Sequence, residues 1–222
     1  MRELRVLVFA RVPEPGRVKT RLIPALGADG AAALYLDLLD HVLAEVSRPP
    51  GLAVELWVDR APVAAELEAR AAAAGAALRL QAEGDLGRRM DQALRRVLGE
   101  GALPILVGSD LPGLRAAHLE AAARALREDA EAVFAPATDG GYGLVGLTRP
   151  MPELFTDMPW STPAVMHETA ARLAAAGVRW TRLEALWDVD APEDLPRLAA
   201  LARFRARLAA LGWRGDGAAA EP

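Results

Sequence analysis

The segment Arg11-Val-Pro-Glu-Pro-Gly-Arg-Val-Lys-Thr-Arg21 gathers four cations around a glycine and two prolines, in a chain whose formal net charge is -4. Lys19 is the only lysine among 26 lysines and arginines. A compact, rotatable ammonium differs chemically from a planar guanidinium fork, so a lone lysine beside Gly16 and Thr20 points to contact with a phosphate or a reacting oxygen. Gly16 permits close backbone approach, while Arg17, Lys19 and Arg21 can neutralise a diphosphate. Two plainer readings stay open. A composition skewed toward Ala, Arg, Gly and Pro, with no Asn or Cys, leaves few lysines by itself, and a charged loop also serves solubility. Lys19 follows Val18, so the loop is not a Walker A motif, and the chain has no Gly-x-Gly-x-x-Gly turn to support a nicotinamide oxidoreductase.

The second group is acidic. Asp110 ends the apolar run Leu103-Pro-Ile-Leu-Val-Gly-Ser. A carboxylate at the end of a buried strand can hold Mg²⁺ or Mn²⁺ against a substrate diphosphate, because hard cations prefer oxygen ligands and share them with phosphates. Its expected partner is Asp190, with Asp188 second. Each acid also has a structural alternative. Ser109 and Asp110 can cap the turn into Leu111-Pro112-Gly113. Asp190-Ala-Pro-Glu193 reads as a capping box, and Asp139-Gly140-Gly141-Tyr142 as ordinary hairpin chemistry.

Composition narrows the chemistry. With no cysteine and three scattered histidines (His41, His118, His167), disulfides, a cysteine nucleophile and zinc chemistry are not expected. The negative net charge and the lack of a long basic stripe argue against a nucleic-acid partner. The opening apolar run, Val6 to Ala10, is too short for a signal peptide or a membrane span, so the expected location is the cytoplasm.

Such side chains need a scaffold, and the hydrophobic pattern supplies one. Residues 4–10 read as a buried strand, followed by about eighteen residues without a clear pattern. A helix then starts near Asp29 as N-cap and continues through Leu34, Leu38, Val42 and Val46. Strands follow at 52–58, 77–81, 103–107, 131–137 and 178–184. Helices are expected at about 62–74, up to 99 after Glu83–Met90, at 115–127 and at 163–176, with a final one running to Leu211. An antiparallel insertion is expected around Asp139-Gly-Gly, and a short turn around 155–162. Alternating strands and helices give an α/β fold with a mainly parallel sheet covered on both faces. We expect one domain over 1–211 and a frayed tail over 212–222. Three functional stretches then fall in loops beyond strand ends, where parallel sheets place their sites: the basic loop, 84–89 and 108–113.

Six ordered motifs strengthen this reading: Pro13-x-Pro-Gly-Arg-x-Lys-Thr-Arg21, Gly84-Asp-Leu-Gly-x-Arg89-Met90, Gly108-Ser-Asp-x-Pro112, Asp139-Gly-Gly-Tyr142, Trp160-Ser-Thr162 and Asp188-Val-Asp-x-Pro-Glu-Asp-Leu195. Together they resemble the bacterial glycosyltransferase-A-like family often labelled arsenosugar-biosynthesis glycosyltransferases. That family is similar to the molybdenum-cofactor and 2-phospholactate guanylyltransferases of the nucleotide-diphospho-sugar transferase superfamily. The resemblance spans Val6 to about Leu198 and implies a Rossmann-like GT-A fold.

By the same resemblance, the nucleotide is held by Ala10, Arg11, Pro13, Gly16, Arg17, Lys19, Thr20 and Arg21, by Gln81, Gly84, Asp85, Leu86, Gly87 and Arg88, and by Ser109. Asp110 stands at the metal-binding position, with Asp190 and then Asp188 as further ligands. Asp139, Gly140, Gly141 and Tyr142, with Trp160, Ser161 and Thr162, line the sugar or acceptor side. The chain departs from the common Asp-x-Asp pattern, because Ser109-Asp110-Leu111 supplies one carboxylate only. The implied activity is a transferase with Lys19, Asp110 and Asp139 as catalytic residues, using Mg²⁺ or Mn²⁺ and a nucleotide-sugar to glycosylate a small acceptor. The alternatives are nucleotidyl transfer from a nucleoside triphosphate to a phosphorylated small molecule, with release of pyrophosphate, or a catalytically idle nucleotide-binding protein.

Overall fold

The first strand, β1 (Leu4–Ala10), is apolar apart from Arg5 because both of its faces are covered. Leu4, Val6, Val8 and Ala10 enter one core cluster and Leu7 and Phe9 the opposite one, following the two-residue period of side chains along a strand. The computed structural model describes residues 2–215. Its further strands are β2 (Leu52–Val58), β3 (Ala77–Leu80), β4 (Leu103–Gly108), β5 (Ala132–Pro136), β6 (Tyr142–Leu147) and β7 (Trp180–Arg182). They form a 7-stranded sheet in the order β3-β2-β1-β4-β6-β5-β7. β1 pairs in parallel with β2 and β4, whereas β6 runs antiparallel between β4 and β5. The expected antiparallel insertion is therefore a strand wedged inside the sheet. Gly146 is needed there, because an added Cβ would lie 2.8 Å from Val133 and 2.9 Å from Leu126.

The helices are α1 (Ile23–Val46), α2 (Ala65–Ala73), α3 (Leu86–Gly99), α4 (Ala116–Arg127), α5 (Val165–Ala175), α6 (Leu195–Ala199) and α7 (Ala202–Ala210). Leu39 and Val42 of α1, Leu67 of α2 and Leu119 of α4 cover one face of the sheet. Met90 and Leu94 of α3, with Met166 and Leu173 of α5, cover the other. The segment Thr20–Val46 is long and apolar enough to cross a membrane by length and composition, and here that apolarity meets the sheet on one side and α6 and α7 on the other.

Two boundaries differ from expectation. α1 begins at Ile23, with a proline in its first turn, and is interrupted at Gly27 (φ 70°, ψ 169°), a conformation glycine reaches without a Cβ penalty. Asp29 thus stands in the first turn after the break rather than at an N-cap, and the irregular loop ends at Lys19. The final helix is two short helices, because Leu201 is extended (φ -79°, ψ 117°), and Leu198 and Phe204 on either side of that break enter one cluster. Of the stretch expected to fray, Trp213 packs against the same cluster, and residues 216–222 lie outside the described residues.

Candidate functional site

In this strand order the chain leaves β1 toward β2 on one side and returns as β4 on the other, so the crevice beyond the ends of β1 and β4 is the topological switch point. The basic loop crosses it in a fixed path. Val12 donates its N–H to Asp59 Oδ1 at 2.8 Å, Arg11 donates its own to the Tyr35 hydroxyl at 2.7 Å, and Val18 is buried against Ala32 and Tyr35. The Tyr35 hydroxyl also pairs with Ser109 Oγ at 2.9 Å, and burial pushes its phenol up to about 12. This neutral tie joins α1, the loop and the end of β4.

Lys19 has left-handed backbone (φ 47°, ψ 43°), which aims its side chain inward, where it is 6% exposed. Its ammonium lies 2.5 Å from Asp110 Oδ2 and 3.6 Å from Asp190 Oδ1. Burial alone would lower the lysine pKa, but the charge and hydrogen bond of Asp110, with Asp190 and Asp188 beyond, hold it above its ordinary value. Lys19 is therefore a cation at every physiological pH.

Asp190 is not a cap. The oxygen that accepts the backbone N–H groups of Asp190 (2.9 Å) and Ala191 (2.8 Å) belongs to Asp194, so the Asp190 carboxylate is free to face the crevice and pairs with Arg21 at 2.6 Å. Two carboxylates, Asp110 and Asp190, thus converge on one point. Burial and the neighbouring charges of Asp110 and Asp139 push the Asp188 carboxyl up to about 6. Among the described residues no group of three or more acids or histidines has the spacing of a complete metal site.

Two cavities share this crevice. The larger, about 520 Å³, collects Ala10, Arg11, Lys19, Gln81, Asp85, Leu86, Ser109, Asp110 and Asp190 of the residues expected to hold nucleotide and metal. The others of that set stand around it. Arg17 is exposed and pairs with Glu14, Thr20 opens the turn into α1, and Pro13 and Gly16 shape the loop. Arg88 folds back over Gly84, so Arg89 lines the cavity in its place and reaches Gln81 Oε1 at 3.3 Å. The Gln81 amide itself donates to the carbonyls of Ala10 and Trp57. Asp85 caps α3 by accepting the N–H of Arg88, and Gly87 leaves room for the Trp160 indole, whose Nε1 would lie 2.8 Å from a Cβ there.

The smaller cavity, about 230 Å³, takes in Asp110, Asp139, Gly141, Tyr142, Trp160, Ser161, Thr162 and Asp188. Gly140 (φ 93°) sits against the Pro163 carbonyl, where a Cβ would clash at 2.3 Å. Asp139 Oδ1 accepts the Gly141 N–H at 2.9 Å, the hairpin role read from sequence, and its carboxylate still lines the cavity. Sequence reasoning missed Phe9 and Tyr35 as lining residues, whereas Val18 and Arg89 fall within the basic loop and the 84–89 stretch it singled out. Only Tyr35 carried a signal, as one of two tyrosines in the chain, the other being Tyr142 of the smaller cavity.

Comparison with known proteins follows the same lines. No curated protein matches the sequence. Among solved structures, a candidate nucleotide-diphospho-sugar transferase from Desulfovibrio desulfuricans is similar at 29% identity and a TM-score of 0.81, covering 95% of this chain and 97% of that one. A cytidylyltransferase from Leptospira borgpetersenii is 14% identical, with a TM-score of 0.59 over 92% and 88% of the two chains. Glucosyl-3-phosphoglycerate synthase from Mycobacterium tuberculosis, solved with Mn²⁺, UDP and glucosyl-3-phosphoglycerate, is 16% identical, with a TM-score of 0.52 over 97% and 82%. The last two share the fold. The α/β architecture is thus that of the nucleotide-diphospho-sugar transferases, as the motifs implied. The family model described as uncharacterized protein conserved in bacteria (DUF2064) matches residues 42–162, which include the loops at 84–89, 108–113, 139–142 and 160–162. Those residues are more than half of the chain, and it belongs to that family.

Proposed function

We propose that this protein is a metal-dependent transferase that uses a nucleotide-sugar donor to glycosylate a small-molecule acceptor. The observation that carries this reading is the Lys19 ammonium held between Asp110 and Asp190 in the larger of two adjoining cavities, one lined by cations and carboxylates and the other by carboxylates without a cation. Lys19, Arg11 and Arg89 offer charge to a diphosphate, and the walls of the larger cavity leave room for a nucleoside beside Gln81 and Leu86. Two converging carboxylates suit Mg²⁺ or Mn²⁺, which commonly takes one or two protein carboxylates and completes its shell with substrate phosphate and water. Asp110 and Asp190 would hold it, with Asp188 behind them, and the ion would neutralise charge on the leaving diphosphate.

In this reading the chain's own work is placement and charge. An acceptor hydroxyl in the smaller cavity attacks the anomeric carbon, the bond from that carbon to the phosphate oxygen breaks, and the nucleoside diphosphate departs against Lys19. Asp139 positions the hydroxyl and takes its proton. Likeness to the Leptospira cytidylyltransferase supports a second reading with the same residues. In it an acceptor oxygen attacks the α-phosphorus of a nucleoside triphosphate and pyrophosphate leaves. Incubation with Mn²⁺ and panels of nucleotide-sugars and triphosphates separates the two by the product released, nucleoside diphosphate or pyrophosphate. Release of neither would overturn the transferase reading and leave nucleotide binding alone.

A further inference from the structure

The smaller cavity has a chemical character of its own, and it differs from that of its neighbour. The cations that line the cavities, Arg11, Lys19 and Arg89, all belong to the larger one, beside Asp85, Asp110 and Asp190. The smaller one is lined by three carboxylates, Asp110, Asp139 and Asp188, and by no arginine, lysine or histidine. The nearest ammonium, Lys19, is engaged by Asp110 and Asp190. The remaining walls are largely apolar: Leu86, Met90, Leu111 and Val165, with the rings of Tyr142 and Trp160 meeting edge to face at 6.3 Å. At about 230 Å³ it lies below the ~300–1,000 Å³ typical of sites for drug-sized ligands. The two cavities meet at Leu86, Gly108, Asp110, Trp160 and Ser161, which line both.

From these features we infer that the smaller cavity selects an uncharged, unphosphorylated alcohol with a compact apolar body, and excludes phosphorylated acceptors. The inference rests on the transferase reading for its assignment of the acceptor to this cavity. A phosphate here would face Asp139 and Asp188 with no arginine, lysine or histidine of the lining to pair with it, since Lys19 neutralises Asp110 from the larger cavity, and like charges set together in a partly desolvated site repel. A hydroxyl meets the opposite situation. It donates to Asp188 or to the Asp139 oxygen that Gly141 does not occupy, while its carbon skeleton lies against the Leu, Met and aromatic wall. The opening at Asp110 and Gly108 then directs that hydroxyl toward the donor. The charge pattern thereby argues against the phosphorylated acceptor of the nucleotidyl-transfer alternative.

The test uses the full-length protein and two probes of the same shape, benzyl alcohol and benzyl phosphate. The methyl resonance of Met90, which lines the smaller cavity and not the larger, is identified by its loss in Met90→Leu and followed by NMR as each probe is titrated in. Benzyl alcohol is expected to move the resonance saturably, and benzyl phosphate to bind at least about tenfold more weakly, as like-charge repulsion requires. Equal or tighter binding of the phosphate, or no response to the alcohol up to its solubility limit, would overturn the inference. In Asp139→Asn/Asp188→Asn the discrimination is expected to shrink, and undiminished discrimination would refute its electrostatic origin. Failure of the transferase reading is separately visible: the alcohol would still move the Met90 resonance while no nucleotide-sugar or triphosphate is turned over.

Discussion

Lys19 combines two costs that a residue chosen for structure alone would avoid, a left-handed backbone and a buried ammonium. Substituting arginine keeps the charge but replaces a point contact by a planar fork in the same narrow space. Lys19→Arg is therefore expected to cost about 1–3 kcal/mol in transition-state stabilisation, seen as a fall in kcat/KM. An unchanged kcat/KM would remove Lys19 from the chemistry. Asp190 and Asp194 separate two roles that the sequence left superimposed. Asp190 and its partner Arg21 are both substantially exposed, so Asp190→Asn is expected to change stability by less than about 1 kcal/mol while weakening Mn²⁺ binding in calorimetry. Asp194→Ala, which removes the acceptor of two backbone N–H groups, is expected to lower stability by about 0.5–2 kcal/mol and leave Mn²⁺ affinity unchanged. The reverse pattern would show that the metal role has been given to the wrong aspartate.

At the scale of elements, α1, α4 and α7 meet at His41. Its Nδ1 accepts from Arg203 at 3.0 Å, which leaves Nε2 to donate to the Leu114 carbonyl at 3.1 Å, and Glu45 faces it from its own helix while capping α4 through the Ala116 N–H. Burial, and then the Arg203 charge, hold the His41 pKa below the ordinary histidine value. Its contribution to stability is therefore complete above the unfolded-state pKa of about 6.5 and is lost as pH falls below it toward the folded pKa, where the unfolded chain binds the extra proton. Thermal melts from pH 8 to 5 are expected to show this loss in the wild type and a weaker one in His41→Gln; parallel curves would contradict it. Strands, helices and their order were legible in the sequence because period-2 and period-3.6 apolar patterns record which faces are covered. The kink at Gly27 and the break at Leu201 were not, since both depend on packing between α1 and the final helices rather than on local pattern. Within the site, the motif-bearing loops were legible, whereas Tyr35 was not: it sits on a helix face that reads as core, and only the fold brings it to Ser109.

On the scale of the whole molecule, β6 is the strand that runs against its neighbours β4 and β5. Gly146→Ala places a methyl between Val133 and Leu126 and is expected to destabilise the protein by about 1–3 kcal/mol in denaturant melts, as overpacking of a filled core does. A neutral effect would mean that the sheet yields there easily. The pairing of β4 with β6, Ile105 opposite Gly146 through Val107 opposite Leu144, is also a seam between two halves of the chain. Before it lie the basic loop, the tyrosine tie and Asp110; after it lie the Asp139 turn, the Trp160 loop and the Asp188–Asp190 pair. Both cavities straddle it like the teeth of a zipper: Trp160, Ser161 and Asp190 complete the larger from the second half, and Leu86, Met90 and Asp110 complete the smaller from the first. Each ligand that closes the crevice also fastens the seam, so the protein is expected to resist unfolding more with both bound than either ligand alone accounts for.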